Sequence, residues 1–469
     1  MDKNPARRPG RRSCLWGAMG ILVTIALAIP LGLTASAGAG KHRIATDDQF
    51  LKATYTPVKL RVAGDPQEIR FDISCLPPDG DADGPGVCDG GGTVYFRASG
   101  NVSASVPLRV DSDAQVGRYV ATVPSNIWNA PWFTYYAVIR DNTTGRTILL
   151  PQGGSTAPQI SIAISPTPIN LGEHAFASTR QPSARVVSAS WGSDDGQVGL
   201  EGGIDMPAGG ASFDVDSAGN VYLLDEANAR MLEFTGTGAP AQIALPGLTG
   251  VRADLRISDT AGTAYVLETA SASFPKPLLR AYTLQGSALG TSTVADAAAA
   301  QVRVAGSTAY VSQYPSSVWA PMLQNNGRTA VAAAAQFASG VPGVPSGIGN
   351  LVVASLGTEI RVGTYGSSAT TNQFAARITS ATPVADIGLA QALPSGRILV
   401  VFSVYTETQH EYEALVVDSS GSLVDQFSLP AAEWAQSMPL SRFRLVGSSL
   451  YELGSSETGV FVDRYDLGV

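Results

Sequence analysis

The run Asp79-Gly80-Asp81-Ala82-Asp83-Gly84 sets three carboxylates at alternate positions. Carboxylates so spaced can converge on one hard cation, and the glycines allow the backbone to bend around it. A helix–loop–helix calcium site would place glutamate at the twelfth position, which here is Gly90, and no helical pattern flanks the run. A solvated acidic loop is therefore the first reading of Asp79, Asp81 and Asp83. A calcium site is the second, and calcium is the one cofactor the chain offers a loop for. Cys75 and Cys88 bracket the run with 12 residues between them. In an exported chain such a pair reads as one disulfide, with two free thiols as the alternative. Closing a loop of this size stabilises by roughly 3 kcal/mol.

The search for other chemistry is largely negative. No Gly-x-Ser-x-Gly elbow and no phosphate-binding Gly-x4-Gly-Lys loop occurs. His42, His174 and His410 stand apart, without metal-ligand spacing to one another or to a cysteine, and read as surface residues. Asp214-Val-Asp216-Ser-Ala-Gly219-Asn220 carries alternating acids, but a β-hairpin accounts for every residue in it. Among the tryptophans, Trp132 fits a core and Trp191 a strand. Trp319 and Trp434 fall in longer loops and are the candidates for an exposed carbohydrate-binding face.

The elements that must position these residues are strands. Glycine (50) and proline (29) are abundant, apolar content is 44%, and long amphipathic helical patterns are missing, which together predict an all-β protein with many turns. The best-defined unit is Ala211–Phe234. Phe213 and Val215 alternate with Asp214 and Asp216, Gly219-Asn220 turns the chain, and Val221–Leu224 is apolar. Echoes of this strand–glycine–strand unit follow around Gly262, Gly306, Gly349, Gly396 and Gly447, at intervals of 43, 44, 43, 47 and 51 residues. A period in the forties with β-only content predicts a β-propeller of one four-stranded sheet per repeat. Six repeats are counted; five or seven are the alternatives. The last repeat ends after Val460–Tyr465, one strand short, and Ala184–Ser190 is a strand without a repeat of its own. Pairing the two would close the ring and hide two edges.

Between Pro57 and Ile164, seven or eight short alternating runs suggest a two-sheet sandwich. Tyr135–Gly145 resembles the penultimate strand and hairpin of bacterial immunoglobulin-like or fibronectin-type modules. The segment around Asp225, Asn228 and Arg230 resembles the NHL repeat of β-propellers, with Ala229 where that repeat usually has histidine. The resemblance implies a six-bladed ring that serves as a binding platform. Within it Asp225, Asn228 and Arg230 read as a turn-stabilising set. Related six-bladed rings include calcium-dependent lactonases, whose ligands would have to come from channel-facing acids; Glu201, Asp205, Asp254, Asp296 and Asp386 are the candidates. The expected domains are 1–39 as export segment, 56–165 as sandwich, 166–183 as linker and 184–469 as propeller.

Residues 1–39 combine a basic start (Lys3, Arg7, Arg8, Arg11, Arg12), an apolar stretch from Leu15 to Leu33 and small residues after it. This reads as a cleaved signal peptide or as a single retained anchor, the only route by which the chain would touch a membrane. Arg11-Arg12 loosely resembles a twin-arginine motif. Setting aside the +4 of this segment takes the net charge from −8 to −12, which argues against nucleic acid as a partner. The expectation is an exported, cell-surface or extracellular protein that binds a protein or carbohydrate without catalysis. The alternative is a metal-dependent propeller hydrolase or lactonase.

Overall fold

The computed structural model describes residues 51–75, 89–111, 117–142, 144–202, 207–236, 238–249, 252–271, 275–296, 298–313, 318–338, 341–346, 349–365, 372–435 and 441–468. Residues 1–39, expected to be an export segment, and Asp79, Asp81, Asp83, Cys88 and Asp205 lie outside them. Cys75 is the last residue of the strand Glu68–Cys75, and Gly90–Ala98 is the next strand.

Two sheets form the N-terminal unit. One orders Leu51–Tyr55, Glu68–Cys75, Arg118–Thr122 and Arg109–Val110; the other is built around Gly90–Ala98 and Trp132–Asp141. The strand Trp132–Asp141 alternates with period two, with Phe133, Tyr135, Ala137 and Ile139 buried in succession. They meet Phe71, Ile73 and Ile69 of the facing sheet in one core. Trp132 instead packs on Leu60 and Ile162, in a cluster that reaches Val352 and Ala375 of the C-terminal part. Arg361 fastens this junction by donating to the Leu60 carbonyl (2.9 Å) and pairing with Asp65.

Among the described residues, the rest of the chain forms six antiparallel meanders. They begin at Phe213–Val215, Ala253–Ser258, Val302–Ala305, Val344–Ser346, Val384–Ala392 and Phe443–Val446. Each first strand or its hairpin partner packs against the next sheet, and Phe443–Val446 returns to Phe213–Val215, so the contacts run in a cycle. This is the architecture of a β-propeller. Ala184–Ser190 pairs antiparallel with Gly459–Asp466 and supplies the outer strand of the last meander. Gly219, Gly262, Gly306, Gly396 and Gly447 sit in the first hairpins at positive φ, which explains glycine at the repeat anchor. Gly349 differs: it opens the strand Gly349–Ser355.

Residues 166–183 are more than a linker. Thr167–Asn170 adds to the fourth meander, parallel to Asn372–Thr379, and Ile169 is buried there. Thr179 bridges Ser428 of the fifth meander, and Ala184–Ser190 then completes the sixth. One connector thus runs along the outer edges of three consecutive meanders and covers edges that would otherwise be unpaired.

Candidate functional site

Asp225, Asn228 and Arg230 are brought together as a clasp. Asp225 is fully buried. Its Oδ2 accepts from Arg230 Nε and Asn228 Nδ2, both at 2.8 Å, and its Oδ1 accepts from the Gly199 amide at 2.9 Å. Arg230 Nη2 donates to the carbonyls of Gln197 (2.8 Å) and Asp194 (3.1 Å). The motif therefore pins the 192–199 loop onto the turn after Val221–Asp225. Asp225→Ala would strand a buried guanidinium, and a loss of about 3–5 kcal/mol is expected in urea unfolding. A change below 1 kcal/mol would show that the clasp is ornamental. Asp216 has the hairpin role expected of it, with Oδ1 accepting from the Ala218 (3.0 Å) and Asn220 (2.8 Å) amides.

Of the acids expected to face the channel, Asp254 and Asp296 are engaged by neighbouring groups. Asp254 Oδ1 accepts from Ser212 Oγ at 2.8 Å, and its Oδ2 accepts from the Val302 amide at 2.8 Å. It thereby ties three successive innermost strands together. Asp296 Oδ1 accepts from the Ala298 amide at 3.0 Å, and Glu201 is exposed on an isolated bridge to Ala208. Burial raises the Asp386 carboxyl above the usual range. Among the described residues no group of three His, Cys, Asp or Glu side chains is placed to hold a metal ion.

Toward one end of the ring a second polar cluster surrounds Arg442. Its Nη1 lies 2.8 Å from Glu433 Oε1 and its Nε 3.2 Å from Glu452 Oε1. Burial opposes the Glu433 charge, but His410, Arg442 and the Tyr412 hydroxyl hold its carboxyl down at about 2. Burial wins at Glu452, which is pushed up to about 7 against the pull of Arg442. Glu226, at the turn after Val221–Asp225, is pushed up to about 8, again by burial. Trp191 and Trp434 are half-buried with ring centroids 6.1 Å apart. Trp319 is buried in the strand Val318–Gln324, so the exposure expected of it is not found. The sequence pattern there, Val-Trp-Ala-Pro-Met-Leu, is apolar on both faces, as an inner-sheet strand requires.

A cleft of about 500 Å³ lies beneath the connector. His174 is the surprise. It is buried rather than on the surface, with Nε2 2.9 Å from Glu411 Oε2 and Nδ1 2.9 Å from Glu413 Oε2. The Ala177 amide donates to Glu411 Oε1 at 2.7 Å, and the His174 amide donates to Thr382 Oγ1 at 2.9 Å. His174 and Glu413 form part of the cleft wall, with Glu173, Thr179, Gln426 and Ser428 around them. Arg180 stacks on Phe427 at 3.7 Å and pairs with Asp425 at 3.1 Å. One signal for this site was present in the sequence. Glu411-x-Glu413 in a strand puts two carboxylates on one face, a spacing that suits both nitrogens of an imidazole.

No known family and no curated protein matches the chain. Solved structures give distant likenesses. Virginiamycin B lyase from Staphylococcus aureus is 9% identical, with a TM-score of 0.33, over 54% of this chain and 94% of that one. A protein of unknown function from Bacteroides caccae is 11% identical, with a TM-score of 0.30, over 72% and 93%. YCF48 bound to D1 peptide is 10% identical, with a TM-score of 0.32, over 62% and 98%. Likenesses of this size carry no functional argument. The class of protein, a β-propeller joined to a two-sheet N-terminal unit, rests on the strand pairing above.

Proposed function

We propose that this chain is an exported, cell-surface or extracellular binding protein, an immunoglobulin-like sandwich followed by a six-bladed, NHL-like propeller. Its ligand is a small, hydroxyl-rich molecule of the carbohydrate class, held in the cleft beneath the connector without chemical conversion. One contrast carries this reading. The channel acid best placed for a metal, Asp254, is engaged by Ser212, Val302 and Arg444, whereas the cleft offers carboxylate, amide and hydroxyl groups around about 500 Å³. Glu173 and Gln426 are exposed at its rim.

The test is binding of the exported full-length protein to an array of soluble oligosaccharides, followed by calorimetry of any hit. Glu173→Gln and Gln426→Ala should each weaken it about tenfold, the worth of one hydrogen bond to a charged or amide group. Hits insensitive to both variants, or chelator-sensitive lactone hydrolysis, would refute the reading. The loop from Asp79 to Asp83 and the Cys75–Cys88 disulfide are proposed to be independent of this site. Calcium should raise the melting temperature of the wild type and not of Asp81→Ala, and reductant should lower it. Equal melting under all four conditions would remove both from the proposal.

A further inference from the structure

Three guanidiniums and two carboxylates meet around the inner strands of the first three meanders and the last. Arg256 Nη1 and Arg444 Nε each lie 3.1 Å from Asp214 Oδ1, and Arg444 Nη2 lies 3.3 Å from Asp254 Oδ1. The other carboxylate oxygens are also taken: the Ile257 amide donates to Asp214 Oδ2 at 2.7 Å, and the Val302 amide to Asp254 Oδ2. Arg444 completes its set on the Leu255 carbonyl at 2.9 Å, and its side chain is 1% exposed. Both aspartates are therefore hydrogen-bonded or ion-paired to partners other than Arg303.

Arg303, the second residue of the strand Val302–Ala305, is the third cation. Its guanidinium donates through Nη1 to the Val302 carbonyl at 2.9 Å and faces the Trp319 ring at 5.6 Å. Among the described residues no carboxylate lies within ion-pair distance of it. Burial, and then the like charges of Arg256 and Arg444, depress it to about 9. One positive charge is thus in surplus at a half-buried position, and among the described residues the Nε and Nη2 edge of the planar Arg303 fork has no hydrogen-bond partner.

We infer that the propeller channel binds a small oxyanion, a carboxylate or phosphate, on Arg303 beside Arg256 and Arg444. A guanidinium edge takes two oxygens of such an anion side by side, and the anion would neutralise the surplus charge of the cluster. The site is separate from the cleft beneath the connector, and its fate does not depend on what that cleft binds.

The test is the melting temperature of the full-length protein at constant ionic strength, with chloride replaced stepwise by phosphate or by acetate. In the wild type a saturable rise is expected, roughly 5 °C at a hundredfold excess over Kd. Arg303→Gln should abolish it, while Arg109→Gln, on the exposed strand Arg109–Val110, should keep it. Saturation by phosphate but not acetate would assign the site to phosphoryl groups, and the reverse to carboxylates. Equal, unsaturable responses in the wild type and Arg303→Gln would overturn the inference. Should Arg303→Gln fail to fold, equilibrium dialysis of the wild type against labelled phosphate and labelled acetate decides. One anion bound per chain supports the site, and none overturns it.

Discussion

Asp254→Ala is expected to lower the stability of the propeller by about 3–5 kcal/mol, the cost of removing one partner from a buried ionic network. The carboxylate is fully buried and holds Ser212 of one inner strand, the Val302 amide of another and Arg444 from a third. Its loss leaves the Val302 amide without its acceptor and three arginines facing a single aspartate. Asp254→Asn is isosteric and should recover part of the loss, because an amide oxygen can still accept from Val302 while the charge against Arg444 is gone. Urea unfolding read by tryptophan fluorescence measures both variants. A suitable contrast is Asp72, which is 61% exposed in its ion pair with Arg118. Asp72→Ala should leave the unfolding midpoint in place, since exposed pairs add little. Equal midpoints for Asp254→Ala and Asp72→Ala would contradict the clasp.

These clasps mark the boundary of what could be read in the sequence. The meanders were legible because their signals are local. Five first hairpins turn on a glycine at positive φ, so glycine recurs, and the strand that follows, as in Val221–Asp225 and Ile398–Tyr405, is mostly apolar and buried on both faces, so its residues run together. The unpaired Ala184–Ser190 could be matched to the incomplete last repeat by counting strands. The connector was not legible, because its pairing is non-local and partly parallel. Residues 167–179 show no period, since they touch a different sheet every few residues. His174 meets Glu411 across more than two hundred positions, and no spacing rule links them. The role of Asp254 was not legible for a related reason. An acid before an inner strand looks the same in sequence whether it points at a metal or at the neighbouring backbone, and here Asp254 does the second.

Glu226→Gln should make the protein more stable at pH 8, and the gain should vanish in acid. Glu226 is 7% exposed, its Oε1 accepts from the Ala211 amide at 3.2 Å, and its Oε2 has no partner among the described residues. Burial is the main force raising its carboxyl to about 8; the nearby Asp225 charge adds to this, and Arg252 opposes it. A carboxyl raised in the folded state binds its proton more tightly than in the unfolded chain. Its favourable contribution is complete below the unfolded value near 4.3 and is lost as pH climbs to about 8. Glu452, raised to about 7, acts in the same direction over a slightly narrower range. Glu433, held at about 2, acts oppositely: its contribution is present above the unfolded value and lost as pH falls toward 2. Wild-type stability should therefore peak near pH 4–5 and decline toward pH 8, by about 1.4 kcal/mol per pH unit for each raised glutamate while it lags the unfolded chain. Glutamine keeps the shape and the acceptor for Ala211 but cannot ionise. At pH 8 it should exceed the wild type by roughly 2–4 kcal/mol, and at pH 4 the two should unfold together. Urea midpoints at pH 4, 6 and 8 read this directly, and a Glu226→Gln difference that does not change with pH would show that the carboxyl is charged throughout.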